Sequence, residues 1–135
     1  MRSKAEILSL YRTLVRAGDA SVLHSRPAVY DVRRRLRQAF EEYRYVDDEK
    51  EQEDLFERGK NTEKLFKIAA RRGGPEHKSI VNLCEMAFLD KLYARRPPYG
   101  NRRMKQYENQ LHKESMNMYK RTLKMANDEL RLGLR

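Results

Sequence analysis

Apolar side chains recur at helical spacing along most of the chain, and this pattern predicts α-helices with no competing strand pattern. Ser3 and Glu6 form a capping box that begins the first helix. We expect Gly18 to end it, because glycine adopts the left-handed conformation at low cost. Between these points, one helix face carries Ile7, Leu10, Tyr11, Leu14 and Val15.

The second helix is predicted to begin near Pro27, since proline is tolerated in a first helical turn. Acidic residues 47–49 suit the start of the third helix, where negative charge meets the positive end of the helix dipole. The third helix ends before the Gly73-Gly74-Pro75 break. The buried faces of these two helices are predicted to be Val29, Val32, Leu36, Phe40 and Tyr43, then Leu55, Phe56, Leu65, Phe66 and Ala69.

Two further helices are predicted beyond this point, at about 76–94 and 101–132. Prolines and a glycine make residues 95–100 the clearest linker in the chain. In the last helix a single heptad position is apolar, which predicts a long helix lying against another surface and argues against a coiled coil. That position is occupied by Met104, Leu111, Met118, Met125 and Leu132.

The pattern as a whole predicts an all-α protein: an antiparallel three-helix bundle over residues 1–72 and a basic helical extension over residues 73–135. Either the extension packs back on the bundle or it reaches outward, and the linker allows both.

The composition adds a strong positive charge of +10 to this picture. Residues 1–45 carry +5, residues 46–70 carry −3 and residues 71–135 carry +8, so two basic surfaces are joined by a more acidic helix. Such a protein suits anionic partners, whether an acidic protein, RNA or a membrane face. The amphipathic first 16 residues are compatible with mitochondrial import, although they also form a helix that the fold needs.

Enzymatic and metal chemistry find little support in the sequence. His24, His77 and His112 are scattered, and no glycine-rich phosphate loop is present. Cys84, the single cysteine, is expected to be a buried inert thiol, and the acidic residues 47–49 to be a solvated helix start. No apolar run is long enough to cross a membrane. We therefore expect a binding protein with no catalytic residues, no metal and no cofactor of its own.

Two basic clusters are candidate binding surfaces. Residues 33–37 place four arginines around one helix, which suits either carboxylates and phosphates or plain solvation. The second cluster has tyrosines 99, 107 and 119 interleaved, a composition that RNA binding uses. Its candidate residues for RNA or a client complex are Arg95, Arg96, Arg102, Arg103, Lys105, Lys120 and Arg121, with Lys124 beside them.

The segment Leu10-Tyr11-Arg12, near the start of the first helix, resembles the signature of the mitochondrial LYR-motif (complex 1 LYR-like) family. Phe40 matches the family's phenylalanine in the second helix. The resemblance covers residues 3 to about 70, and the segment from Glu76 resembles longer fungal members.

The resemblance implies a LYR-type bundle in the mitochondrial matrix that binds the mitochondrial acyl carrier protein. It implies that the carrier's acyl-4′-phosphopantetheine arm enters the bundle while its acidic helix lies on basic residues. The matching residues for carrier binding are Tyr11, Arg12, Arg33, Arg34 and Arg37. Those for an acyl-chain tunnel are Leu10, Leu14, Leu36, Phe40 and Phe66, and each of these also fits ordinary core packing.

Three functions remain open at this point. The first is an adaptor that docks the carrier on a larger mitochondrial assembly, preferably the large mitoribosomal subunit or its assembly intermediate, because residues 71–135 are so basic. The second is an assembly factor or accessory subunit of a respiratory complex or of iron–sulfur cluster assembly. The third is an RNA-binding helical protein that needs no carrier.

Overall fold

The computed structural model describes residues 2–95 and 106–134, and five α-helices account for most of them. In chain order they are α1 (Lys4–Ser21), α2 (Ala28–Glu42), α3 (Glu49–Ala69), α4 (Pro75–Arg95) and α5 (Gln106–Leu130), with a short 3-10 helix at Tyr43–Tyr45. No strand occurs within these residues. The predicted fold, an all-α bundle of three helices followed by two more, is confirmed. Residues 96–105, which include Met104 and most of the predicted linker, lie outside the described residues.

α1 begins where the capping box predicts. The backbone N–H of Glu6 donates to the Ser3 hydroxyl at 3.2 Å, and the Ser3 N–H donates to the Glu6 carboxylate at 3.0 Å. α3 begins in the same way, because the Asp48 side chain accepts from the Lys50 N–H at 3.1 Å. These three hydrogen bonds satisfy backbone donors that a helix start leaves unpaired.

The prediction that Gly18 ends α1 is wrong. The helix continues to Ser21, and Gly18 is buried within it. A Cβ atom at this position would lie 2.6 Å from Cγ1 of Val32, so the missing side chain lets α1 and α2 approach closely. The turn that follows uses left-handed backbone at Leu23 and His24, residues that give no sequence signal for it.

The core lies between α1, α2 and α3, with α4 packed against α2 and α3. Leu14 and Ile80 are each only 2% exposed, so the first turns of α4 share one core with α1. His77 adds polar contacts at the same place, because its Nδ1 lies 2.9 Å from the Ser21 carbonyl oxygen and 3.0 Å from the Ala69 carbonyl oxygen. The start of α4 is thereby joined to the ends of α1 and α3.

α5 lies against the rest of the protein with a face that the heptad spacing does not predict. Leu111, Met118 and Met125 are 55%, 67% and 61% exposed. The half-buried residues belong to another face, which includes Met116, Tyr119, Leu123 and Ala126. Of the heptad residues that are described, only Leu132 is buried, and it lies beyond the end of the helix.

Candidate functional site

An open cleft of about 550 Å³ lies between α1 and α2. Helical spacing assembles it, because residues three, four or seven apart lie on the same face. The cleft is lined by Tyr11, Arg12, Val15 and Arg16 from α1 and by Tyr30, Arg33, Arg34 and Arg37 from α2. We refer to this feature as the arginine cleft.

All five residues that sequence reasoning groups for carrier binding lie in the arginine cleft. Sequence reasoning missed Arg16 and Tyr30, although their spacing of four from Arg12 and Arg34 was a usable signal. Arg35, which belongs to the same basic run, points instead toward the opposite side of α2, where it borders a small apolar cavity.

The arginines of the cleft divide into paired and unpaired groups. Arg33 forms two hydrogen bonds to the buried Asp19 carboxylate, at 3.0 and 2.6 Å. This contact raises the pKa of Arg33 above its ordinary value and fixes the plane of its guanidinium. Arg34 is held by Asp31 at 2.6 Å, and Asp31 also accepts from Arg35 at 2.9 Å.

Arg12, Arg16 and Arg37 form no ion pair with a carboxylate in the part of the chain that the structure describes. Arg12, Arg16 and Arg37 are also exposed. Of the five guanidinium groups that line the cleft, two are therefore paired with carboxylates, and those of Arg12, Arg16 and Arg37 remain for a partner. A planar guanidinium grips a carboxylate or phosphate through two parallel hydrogen bonds.

The Leu10-Tyr11-Arg12 segment has a clear geometry, because successive residues of a helix point about 100° apart. Leu10 is buried in the core and Arg12 is exposed in the cleft. Tyr11 lies between them, with its ring edge-to-face against Phe40 at a centroid distance of 5.0 Å. The motif thus connects the core to the cleft within a single helical turn.

The five predicted tunnel residues all belong to the core or pack against it. Leu10, Leu14 and Phe66 are buried, while Leu36 and Phe40 are partly buried. Leu36 and Phe66 also border the apolar cavity on the far side of α2, whose volume is about 50 Å³. A water molecule occupies about 30 Å³ in the liquid, so an acyl chain requires side chains to move apart.

The second basic cluster is described only in part. Lys120, Arg121 and Lys124 are exposed on α5. Tyr107 is exposed near the start of α5, away from these residues. Tyr119 is half-buried and burial raises its pKa, so Tyr119 is poorly placed for base stacking. Outside the described residues lie Arg96, Tyr99, Arg102, Arg103 and Lys105, together with the side chain of Arg95.

Residues 2–95 and 106–134 offer few candidates for a reactive side chain or a metal site. Burial raises the pKa of Cys84 to about 11, as expected of an inert thiol. No group of three or more histidine, cysteine or acidic side chains there is arranged to hold a metal ion. None of the described helices is both long enough and apolar enough to cross a membrane.

Together, the fold and the site define a small all-α protein with a cationic cleft between its first two helices. Residues 5–65 match the family described as Complex 1 protein (LYR family). This segment belongs to the LYR family, and the resemblance carried by Leu10, Tyr11, Arg12 and Phe40 is confirmed. Comparison with curated proteins and with solved structures gives no match.

The matched segment indicates a broad class of function. LYR proteins are small mitochondrial adaptor or assembly-type proteins, and they are generally non-catalytic. They typically bind partners in mitochondrial complexes. The matched segment contains α1, α2 and most of α3, so it includes the whole arginine cleft, whereas α4 and α5 lie beyond it.

Proposed function

We propose that this protein is a mitochondrial matrix adaptor that binds the acyl carrier protein through the arginine cleft and docks it on a larger assembly. The observation that carries the proposal is the set of three exposed arginines, Arg12, Arg16 and Arg37, gathered in one cleft of the LYR segment and paired with no carboxylate among the described residues. An acidic carrier helix supplies the carboxylates that this set lacks.

Charge and shape both support a protein partner. The cleft is open and lies on the surface, whereas a small-molecule site buries most of its ligand. Opposed charges of this kind steer encounter and fix the register of two proteins. The phosphate of a 4′-phosphopantetheine arm offers one more anion for the guanidinium groups.

The test of carrier binding is the double variant Arg12→Ala with Arg37→Glu. Both side chains are exposed and neither is paired within the described residues, so the fold is expected to persist. We expect affinity for the purified carrier, measured by calorimetry, to fall by at least about a hundredfold, since like charge replaces attraction at the interface.

Lys120→Ala with Arg121→Glu is the matched control, because it changes the net charge equally on exposed residues of α5. Carrier affinity is expected to stay unchanged in this variant. Undiminished binding by the cleft variant would refute the proposal, and equal losses in both variants would show that only overall charge matters.

For the client, we favour the large mitoribosomal subunit or its assembly intermediate. The support is the charge of +8 over residues 71–135 and the exposed Lys120, Arg121 and Lys124 on α5. Gentle purification of the tagged protein from mitochondria, followed by intact mass spectrometry, is expected to yield an acylated carrier and large-subunit proteins. Co-sedimentation with a respiratory complex instead would make that complex the client. Recovery of RNA without any carrier would refute the adaptor function.

A further inference from the structure

Two turns meet at one end of the bundle: residues 22–27, between α1 and α2, and residues 70–74, between α3 and α4. His77 joins them, because its Nδ1 lies within hydrogen-bond distance of the last carbonyls of α1 and α3, those of Ser21 and Ala69. The exposed side chains at this end include one apolar residue and one or more basic residues from each turn. We refer to six of them as the turn surface: Leu23, Arg26, Ile68, Arg71, Arg72 and Lys78.

The turn surface is cationic, and its charge is not neutralised within the protein. Residues 64–78 hold five lysines and arginines against one acid, Glu76. The basic members of the turn surface form no salt bridge with a carboxylate anywhere in residues 2–95 and 106–134. Arg26 instead lies over an aromatic ring, with its guanidinium carbon 5.7 Å from the ring centroid of Tyr30. Four positive charges are therefore available to an external anion.

Two large apolar side chains lie among these charges. Leu23 is 45% exposed and Ile68 is 50% exposed. A single exposed leucine is ordinary on a protein surface. Here, however, two apolar side chains occupy the same end of the bundle as four unpaired cations.

The backbone that presents Leu23 is strained. Leu23 has a φ of 53°, in the left-handed region that glycine normally occupies after a helix. The turn is closed by the His24 N–H, which donates to the Asp19 carbonyl at 2.9 Å. Glycine would close the same turn at lower cost, so the turn itself does not explain a leucine there. Strain of this kind is a reason to look for a function of the residue that carries it.

Charge and apolar exposure together favour one class of anionic partner. RNA would pair with the basic side chains, but its bases stack on aromatic rings, which Leu23 and Ile68 do not provide. An anionic bilayer offers both kinds of contact, because phosphate headgroups lie at its surface and hydrocarbon lies just beneath them.

We propose that the turn surface docks this protein on an anionic phospholipid bilayer. The basic side chains bind the lipid phosphates, while Leu23 and Ile68 insert into the hydrocarbon just below the headgroups. The proposal goes beyond the adaptor function, since it concerns residues outside the arginine cleft and does not require the carrier.

The first test removes charge from the turn surface. Arg71→Ala with Arg72→Glu changes the net charge by the same amount as Lys120→Ala with Arg121→Glu, the matched control on exposed residues of α5. Each protein is sedimented with vesicles of equal parts phosphatidylcholine and phosphatidylglycerol, and with vesicles of phosphatidylcholine alone. Wild type and control are expected to bind the anionic vesicles with nearly equal affinity. The turn variant is expected to bind them about a hundredfold more weakly, and no protein is expected to bind the neutral vesicles.

The second test detects insertion. The chain contains no tryptophan, so Leu23→Trp introduces a single fluorescent reporter. Its emission is expected to shift to shorter wavelength on anionic vesicles, because the indole leaves water for the membrane interface. Leu111→Trp, at an exposed position of α5, is the control and is expected to show no shift. Circular dichroism verifies each fold, and Ile68→Trp repeats the test if Leu23→Trp unfolds.

Three outcomes would overturn the proposal. The wild type does not bind anionic vesicles, or both charge variants lose affinity equally, so that net charge alone attracts the bilayer. The third is vesicle binding without a shift at position 23 or 68, because a surface that acts by charge alone suits RNA equally well. Carrier affinity is expected to be unchanged in Arg71→Ala with Arg72→Glu, so failure here would leave the adaptor function standing.

Discussion

The pair α1–α2 and the long helix α5 are both amphipathic by sequence, yet only the first pair buries the face that its pattern indicates. In α1, Leu10 and Leu14 follow the predicted stripe into the core. In α5, the regular seven-residue spacing ends on the surface, with Leu111 and Met118 exposed. Periodicity indicates that a helix has an apolar face, but it does not state which neighbour is available to cover that face.

The difference has a physical origin in how many neighbours each helix has. α1 packs against both α2 and α3, and its Leu10 and Leu14 side chains are buried there. α5 half-buries another face, which includes Tyr119 and Leu123, and near its end Arg58 lies 3.6 Å from Asp128 and Arg131 lies 3.0 Å from Glu57. These contacts hold α5 without burying its heptad face.

Matched leucine truncations give the largest expected contrast between these regions. Leu14→Ala removes a side chain that is 2% exposed and is expected to destabilise the protein by about 3 kcal/mol, through lost burial and a cavity. Leu111→Ala, at 55% exposure, is expected to change stability by less than about 0.5 kcal/mol. Urea unfolding followed by circular dichroism measures both. A similar loss in the two variants would mean that the heptad face of α5 is buried in solution.

Gly18→Ala tests how closely α1 and α2 approach. Alanine in place of a helical glycine ordinarily stabilises by about 1 kcal/mol. Here the new Cβ would lie 2.6 Å from Cγ1 of Val32, a buried and rotationally stiff side chain. We expect a net loss of about 1 to 2 kcal/mol from overpacking, again measured by urea unfolding.

The double variant Gly18→Ala with Val32→Ala is the control for this clash. Because Val32→Ala removes the opposing methyl group, the double variant should lose less than the sum of the two single losses, by about 1 kcal/mol. Strict additivity would show that the helices separate to accept the extra atom and that the close approach is not fixed.

Local signals predicted much of the fold and part of the site. The Ser3–Glu6 box located the start of α1, and the family resemblance grouped five of the eight residues in the arginine cleft. The pairing of Arg33 with Asp19 was missed, because it depends on the angle at which two helices cross. The contact of Gly133 with Thr62 spans 71 residues of sequence, and no local pattern encodes it.

Acid sensitivity where α3 meets the end of α5 is the smallest expected effect, and it tests how α5 is anchored. Hydrogen bonds from Arg131 and then Arg58 lower the pKa of Asp54 below its ordinary value of 3.8. A carboxyl with a lowered folded pKa stabilises the protein above pH 3.8 and loses that contribution as pH falls through the folded value. Since Asp54 is 39% exposed, the contribution at pH 7 is expected to be below about 1 kcal/mol.

Asp54→Asn should lower stability slightly at pH 7 and reduce the further loss between pH 5 and pH 3, as urea unfolding across that range would show. Asp90→Asn is the matched control, because Asp90 is exposed on α4 and forms no ion pair among the described residues. Glu53, whose pKa Arg2 lowers, is unchanged in both variants and accounts for part of the remaining acid response. If Asp54→Asn kept the full pH dependence of the wild type, the anchoring of α5 would rest on the buried Leu132 and the hydrogen bond from the Gly133 N–H to Thr62, not on charge.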